Sequence, residues 1–138
     1  MTQDNSSKLP ARPRIVIAAR DHARLLSLTE AAMRNDSPVA EYLSEELTRA
    51  EVVPDAQCAN IAQMGSTVTY RDDTTGKTRT VTLVYPAEAN IEQQRISVLT
   101  PIGAALIGMS PEQSIPWPAP GGNFGSLTVL EVRSPDRE

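Results

Sequence analysis

Side chains that commonly do chemistry are sparse in this chain. His22 is the only histidine and Cys58 the only cysteine, so no histidine or cysteine metal cluster can be assembled from the 138 residues, and His22 is predicted to be a solvated side chain in the first turn of a helix. The full phosphate-binding loop motif, a glycine followed by any four residues and then Gly-Lys-Ser/Thr, is absent, and the Gly121-Gly122 pair after Pro120 is typical of a turn. The sequence therefore predicts no catalytic residue, no metal site and no cofactor.

A small group of polar residues lies where one predicted helix gives way to the next. Asp36 or Ser37 can cap a helix that begins at Pro38. Glu41 lies one turn further on, where its negative charge complements the helix dipole, and Asn35 precedes the cap. We therefore interpret Asn35, Asp36, Ser37 and Glu41 as the tip of a helical hairpin, with capping and dipole roles for the two carboxylates.

The elements on either side of this tip are two amphipathic helices. The first is predicted from an N-cap at Asp21 to about Arg34, and the second from Pro38 to about Ala50. Their apolar stripes are Leu25, Leu26, Leu28, Ala32 and Met33 in the first and Val39, Tyr42, Leu43, Leu47 and Ala50 in the second. Because a short turn joins them, we expect an antiparallel hairpin about 20 Å long. The face expected to be solvated carries Glu41, Glu45, Glu46 and Glu51.

From residue 65 the apolar pattern changes to a period of two, which is typical of strands. A β-hairpin is predicted from residues 68–70 and 80–85 around a turn at residues 72–76. Further strands are predicted at 96–99, 114–117 and 126–132. In the last of these, one face should carry Leu127 and Val129 and the other Thr128, Leu130 and Val132. We expect four or five antiparallel strands.

A short helix interrupts this strand pattern after residue 99. Thr100 is a good N-cap, Pro101 suits the first helical position, and Gly108 is a natural residue just past a helix end. Such a helix is too short to persist alone, so its apolar side chains must pack against the sheet. These side chains are Ile102, Leu106 and Ile107. The sequence predicts an α+β fold: a short antiparallel helical hairpin followed by an antiparallel sheet crossed by one short helix.

The composition of the chain separates three segments and indicates which classes of partner the protein binds. Residues 1–13 are predicted to be a disordered leader, residues 14–55 to hold a strand-like run and the hairpin, and residues 56–138 to form the sheet domain. The net charge of −4 disfavours specific nucleic-acid binding and makes a basic protein surface the better partner. No segment approaches the ~18 apolar residues that span a bilayer, so we expect no membrane contact and a soluble, cytoplasmic protein.

Several blocks of the second half, in order and with consistent spacing, resemble the C-terminal domain of the Gre transcript-cleavage factors. The blocks are residues 83–86, 96–108, 120–122 and 127–132. Gre factors carry a much longer helical hairpin, and in its short hairpin the whole chain resembles the Rnk family, the regulators of nucleoside diphosphate kinase. The resemblance implies an FKBP-like C-terminal domain that docks at the rim of the RNA polymerase secondary channel, with the hairpin pointing toward that channel.

The same resemblance implies a site and a function. The polymerase contact is expected at the turn into the short helix, at Ser97, Leu99, Thr100, Pro101 and Ile102. In Gre factors acidic residues at the hairpin tip hold a magnesium ion in the polymerase active site. A hairpin of about 20 Å should fall short of that site. The expected function is a non-enzymatic elongation regulator that competes with Gre factors without stimulating transcript cleavage.

Two alternatives stay open. An FKBP-like pocket suits peptidyl-prolyl isomerisation, but such a pocket is lined by several aromatic side chains, and this chain has one Phe, one Trp and three Tyr spread along its length. The other alternative is a scaffold or interaction module that acts on another enzyme, such as nucleoside diphosphate kinase. The sequence is compatible with any oligomeric state.

Overall fold

The computed structural model describes residues 14–35, 37–54, 58–118 and 124–134. These residues form three α-helices and seven strands, joined by turns and short connections. For residues 117, 118 and 124 only the backbone is described. The elements in chain order are β1 (Val16–Ala18), α1 (Ala19–Met33), α2 (Pro38–Arg49), β2 (Glu51–Val53), β3 (Thr67–Asp72), β4 (Lys77–Val84), β5 (Arg95–Ser97), α3 (Pro101–Leu106), β6 (Ser114–Pro118) and β7 (Phe124–Arg133). The predicted leader at residues 1–13 lies outside the described residues.

The large sheet is mixed rather than antiparallel. Its five strands lie in the order β5-β4-β3-β7-β6, and neighbours are antiparallel except β4 and β5, which run parallel with Leu83 opposite Ile96. The connection between them forms 3-10 turns at Pro86–Glu88 and Ile91–Gln93 and returns the chain to the level of Thr82. A tight hairpin cannot make that return. The predicted α+β class is confirmed, and the predicted all-antiparallel sheet is wrong.

A second, two-stranded sheet joins the start of the chain to the end of α2. β1 and β2 pair in parallel, with Val16 opposite Glu51 and Ala18 opposite Val53. Arg14 and Glu51 form an exposed ion pair at one end of this sheet. The sequence predicted a strand-like run at residues 14–17 but no partner for it, because β2 has only three residues and follows the helix without a turn signal.

The predicted β-hairpin is confirmed, whereas the predicted faces of the last strand are partly wrong. β3 and β4 pair from Thr67 opposite Thr82 to Asp72 opposite Lys77. In the pairing of β3 with β7 the register shifts, and Leu130 is an extra residue without a partner. This β-bulge moves Val132 to the core side, where it is buried with Leu127 and Val129.

Helices α1 and α2 begin at different kinds of N-cap residue. The N-cap of α1 is Ala18, so the predicted cap at Asp21 is wrong; Asp21 is buried in the first turn. Ser37 caps α2, because its Oγ accepts a hydrogen bond from the Ala40 N–H at 3.2 Å. The predicted first residue of that helix, Pro38, is confirmed.

Glu46 is buried, although the sequence predicts it on a solvated helix face. Its carboxylate is 1% exposed and receives two hydrogen bonds from Arg49, at 2.7 Å and 3.1 Å. A bidentate guanidinium partner one turn along the helix compensates the cost of removing the carboxylate from water.

Apolar side chains from all three helices and from one face of the large sheet form one continuous cluster. It includes Leu25 of α1, Leu43 of α2, Leu106 of α3 and Leu127 of β7, each fully buried. Gly108 ends the α3 segment with a φ of +81°, and a Cβ on it would lie 2.8 Å from Ile15 Cβ. Helices α1 and α2 are therefore packed against the large sheet.

Candidate protein-docking site

The turn from β5 into α3 is held by hydrogen bonds among its own residues. Thr100 Oγ1 accepts from the Gly103 N–H at 3.1 Å and donates to the Ser97 carbonyl at 2.7 Å. The Leu99 N–H donates to Ser97 Oγ at 2.9 Å. Thr100 therefore caps α3 as predicted, and Pro101 occupies the first helical position. These bonds fix the part of the turn that faces solvent.

Gly103 allows the first turn of α3 to lie close to the backbone of Ser97 and Val98. A Cβ at this position would overlap the Ser97 carbonyl oxygen and would lie 2.9 Å from Val98 Cα. Both neighbours are backbone atoms, which cannot rotate away as a flexible side chain can. The identity of residue 103 is thus part of what shapes the turn.

An apolar groove of ≈ 460 Å³ opens beside the turn. It is lined by Tyr70, Arg79, Val81, Ala89, Ile91, Arg95, Ile96, Ser97, Thr100, Pro101 and Ile102. The structure thus brings four of the five predicted contact residues to one groove. Leu99 does not line it: this side chain is half-buried and packs against the core instead. Ile102, predicted to be a core residue, is half-buried and shared between the core and the groove.

A smaller apolar pocket of ≈ 250 Å³ lies on the other side of Pro101. It is lined by Pro38, Val39, Tyr42 and Pro101. Pro101 is exposed and belongs to both the groove and the pocket. The start of α2 is therefore next to the turn into α3, and the two surfaces can contact one partner at the same time.

Three of the predicted tip residues, Asn35, Ser37 and Glu41, are near this pocket in the chain but are not among its described lining residues. Asn35 and Glu41 are exposed, and Ser37 is half-buried as the cap of α2. Glu41 lies in the first turn of α2, as expected for a residue that complements the helix dipole. Asp36 lies outside the described residues.

The lining of the groove carries two positive charges. Arg79 and Arg95 contribute to it, and none of the described residues that line it is acidic, in a chain with a net charge of −4. Tyr70 is nearly fully buried at the groove floor, and burial raises the pKa of its phenol. The charge of Arg79 lowers that pKa in part, while Asp72 raises it.

A polar cluster connects α1 to the residue that follows β4. The Tyr85 hydroxyl donates to Asp21 Oδ1 at 3.3 Å, and the Arg24 guanidinium lies 3.9 Å from the centre of the Tyr85 ring. Burial and the Asp21 carboxylate raise the pKa of Tyr85 to about 12, against the opposing charge of Arg24. These residues also line a separate cavity of ≈ 350 Å³. We assign the cluster a structural role.

Several groove residues are not predicted from the sequence. Ile91 is 86% exposed and is an apolar residue inside the polar connection at residues 88–95, a signal that could have been noticed. Arg79 and Arg95 carry no comparable signal, because single arginines on strands are ordinary surface residues. Only the pairing of β5 with β4 brings them to the same groove.

In residues 14–35, 37–54, 58–118 and 124–134, no group of three or more His, Cys, Asp or Glu side chains is arranged to hold a metal ion. Within the same ranges, no helix has the length and apolar character that crossing a membrane requires.

Comparison with protein families gives a match to each half of the chain. The family described as "Transcription elongation factor, GreA/GreB, C-term" matches residues 57–134. The family described as "Rnk N-terminus" matches residues 13–53. The first match covers the large sheet with α3, and the second covers β1, α1, α2 and β2.

Relatives cover most of the chain. The "Regulator of nucleoside diphosphate kinase" of Escherichia coli K12 is 37% identical over 123 residues, which is 88% of this chain and 90% of the relative. A "Transcription elongation factor GreA" of Cereibacter sphaeroides ATCC 17023 is 35% identical over 129 residues, 90% of this chain and 85% of the relative. The solved structure of a "Prokaryotic transcription elongation factor GreA/GreB from Nitrosomonas europaea" is 35% identical, with a TM-score of 0.70, and the match covers 89% of this chain and 100% of that one.

Proposed function

We propose that this chain, which belongs to the GreA/GreB family of transcription elongation factors, binds RNA polymerase at the rim of the secondary channel. Its N-terminal part matches the Rnk type. We further propose that it does not stimulate transcript cleavage. The observation that carries the proposal is the position of Pro101, which is exposed between the groove and the smaller pocket. Docking there would cover the turn from Ser97 to Ile102 together with the start of α2. The protein would act as a non-enzymatic, cytoplasmic regulator that competes with Gre factors.

The packing of the helices supports a regulator that does not induce cleavage. Ala40 is fully buried only two residues into α2, and Thr29 of α1 is buried as well. α1 has 15 residues, which corresponds to about 22 Å, and much of this length lies against the core. An antiparallel hairpin held in this way has little length left to enter a channel. Delivery of Asp36 and Glu41 to a distant active site is therefore not expected.

In this proposal the two parts of the chain have different roles. Residues 14–55 would form the short helical hairpin and occlude the channel, and residues 56–138 would form an FKBP-like domain that supplies the docking surface. Peptidyl-prolyl isomerisation has less support, because among the described lining residues of the groove the aromatic contribution comes from Tyr70. A pocket for proline catalysis would need more aromatic surface.

A binding experiment with purified RNA polymerase tests the proposal. Wild-type protein should bind the polymerase core enzyme and displace a labelled GreA, and Pro101→Glu should weaken both effects by tenfold or more because it puts a charge between two apolar pockets. Pro101→Ala is the matched control and should retain most of the binding. A backtracked elongation complex with magnesium should show no added transcript cleavage. Failure of the wild-type protein to bind polymerase or to displace GreA would refute the proposal.

A second candidate function comes from the Escherichia coli relative, whose name is "Regulator of nucleoside diphosphate kinase" and which is 37% identical over 88% of this chain. Direct action on that kinase would require a complex between the two proteins. Co-purification with the kinase in the absence of polymerase, together with a change in kinase activity on addition of this protein, would favour it over polymerase binding.

A further inference from the structure

The strand β1 pairs with β2 along one edge, and a side-chain amide satisfies most of its other edge. There the Ala18 N–H donates to Gln63 Oε1 at 2.8 Å, and Gln63 Nε2 donates to the Val16 carbonyl at 2.8 Å. The Val16 N–H donates to the Gly108 carbonyl at 3.1 Å. Because a primary amide offers a donor and an acceptor, as a peptide group does, Gln63 takes the place of a neighbouring strand.

Gln63 is itself held by the segment before β3 and by the segment after α3. Its side chain is buried, and its N–H donates at 2.9 Å to the Oγ of Ser66, which is also buried. The preceding residue, Ala62, donates its N–H to the Met109 carbonyl at 2.9 Å and accepts from the Gly108 N–H at 2.7 Å. These bonds connect the end of the α3 segment to β1 through one buried amide.

The direction of α1 depends on how β1 is held. Ala18 is the last residue of β1 and also the N-cap of α1, so no loop separates the strand from the helix. β2 follows α2 and pairs with β1, so the same bonds also hold the end of α2. Apolar packing against the sheet is not directional. The directional contacts at the start of α1 are therefore the two bonds of Gln63, the bond to Gly108 and the hydrogen bond from Tyr85.

We propose that Gln63 is a positioning residue, which fixes the direction of α1 and α2 and thereby places the start of α2 beside Pro101. Pro38, Val39 and Tyr42 at the start of α2 line one pocket together with Pro101. This pocket is complete only while α2 keeps its place relative to α3. The consequence for a protein partner rests on the proposed function, whereas the effect on helix direction does not.

The first test uses NMR on the free, isotopically labelled protein. In the wild type, scalar couplings should be detected across both hydrogen bonds of the Gln63 amide. One alignment tensor should fit the residual dipolar couplings of α1, α2 and the large sheet. Gln63→Met keeps a long side chain but removes both bonds, so the Ala18 N–H should exchange about tenfold faster and the helices should require a second tensor. Gln93→Met makes the same change at an exposed residue and should behave as wild type.

The tensor distinguishes positioning from a loss of stability. A variant that is only less stable would exchange faster throughout the chain and would keep one tensor, and this result would overturn the proposal. Ser66→Ala is a milder variant, which removes the bond to the Gln63 N–H and should have a smaller effect of the same kind. Absence of both couplings across the Gln63 hydrogen bonds in the wild type would also overturn it.

Binding to purified RNA polymerase core enzyme tests the consequence for the partner. Gln63→Met should weaken binding by about fivefold, although Gln63 is buried, because the docking surface is no longer preorganised. Combined with Pro101→Glu, the two losses should be less than additive, and full additivity would contradict the proposal. Absence of binding by the wild type would refute the proposed function alone. Unchanged Ala18 exchange and a single tensor in Gln63→Met would overturn the positioning role whatever the polymerase result.

Discussion

The phenolic hydroxyl of Tyr85 donates a hydrogen bond to Asp21 Oδ1 at 3.3 Å and thereby connects the first turn of α1 to the end of the β4 segment. The two residues are 64 positions apart in the chain. Arg24 lies over the ring of the same tyrosine, so one side chain holds two residues of α1 in place. This contact is a specific polar link between α1 and the sheet, in addition to the apolar core that they share.

Removal of the Tyr85 hydroxyl should weaken this link. Tyr85→Phe is expected to lower the free energy of unfolding by about 1–2 kcal/mol, because a buried carboxylate loses a donor while the ring and its contact with Arg24 remain. Urea denaturation measures the effect. In a double-mutant cycle with Asp21→Asn, the two changes should be clearly non-additive. Equal stability of Tyr85→Phe and wild type would show that the hydrogen bond contributes nothing.

The same tyrosine should make the protein sensitive to alkali. Its pKa is raised from 10.0 to about 12 in the folded protein. Between these values the folded state retains the proton more readily than the unfolded state does, so the stabilising contribution is complete below pH 10 and is lost as pH rises toward about 12. The difference in unfolding free energy between wild type and Tyr85→Phe should therefore shrink over that range. A difference that stays constant would contradict the assignment.

Gly103→Ala should destabilise the turn at the centre of the docking site. The new Cβ would overlap the Ser97 carbonyl oxygen, and neither this atom nor Val98 Cα can move without shifting the backbone. We expect a loss of about 1–3 kcal/mol in thermal or urea unfolding, as for other overpacked positions. Thr100→Ser retains the capping oxygen and is the control. A Gly103→Ala protein as stable as wild type would mean that the turn relaxes easily.

The sequence predicted most of the fold because its local signals were strong. Pro38 and Pro101 begin helices where expected, and the alternating pattern at residues 67–84 forms the β-hairpin. The predictions were wrong where the pairing between strands, and not the local pattern of apolar residues, determines the structure. The parallel alignment of β5 follows from how the preceding connection folds, and the bulge at Leu130 inverts the face of Val132; neither has a periodic signature.

The candidate site was predicted in part for the same reason. The residues from Ser97 to Ile102 are contiguous in the chain, so the turn-and-cap pattern and the family resemblance could both identify them. Their partners in the groove come from β3, β4 and the connection before β5, and no spacing rule relates Tyr70, Arg79 and Ile91. Leu99 was assigned to the contact surface because it lies in that turn, whereas its side chain packs against the core.

Asp73 provides a prediction at acid pH. Its Oδ2 accepts hydrogen bonds from Ser126 Oγ and from Thr128 Oγ1, both at 2.7 Å, and its Oδ1 accepts from Arg71 Nε at 2.8 Å. Burial alone would raise the pKa of Asp73, but these hydrogen bonds and the charge of Arg71 outweigh burial and lower the pKa below its usual value of 3.8. The carboxylate therefore ties the turn after β3 to β7.

Because the pKa of Asp73 is lower in the folded than in the unfolded state, its contribution to stability is complete above 3.8 and is lost as pH falls through the folded value. Asp73→Asn should destabilise the protein at neutral pH, and the difference from wild type should decrease below pH 4. Thr128→Val removes one donor to this carboxylate and should reproduce part of the effect, with the same dependence on pH. Urea unfolding from pH 2.5 to 7 measures both variants. If Asp73→Asn and wild type lost stability in parallel over this range, the acid sensitivity would have to arise from other carboxylates.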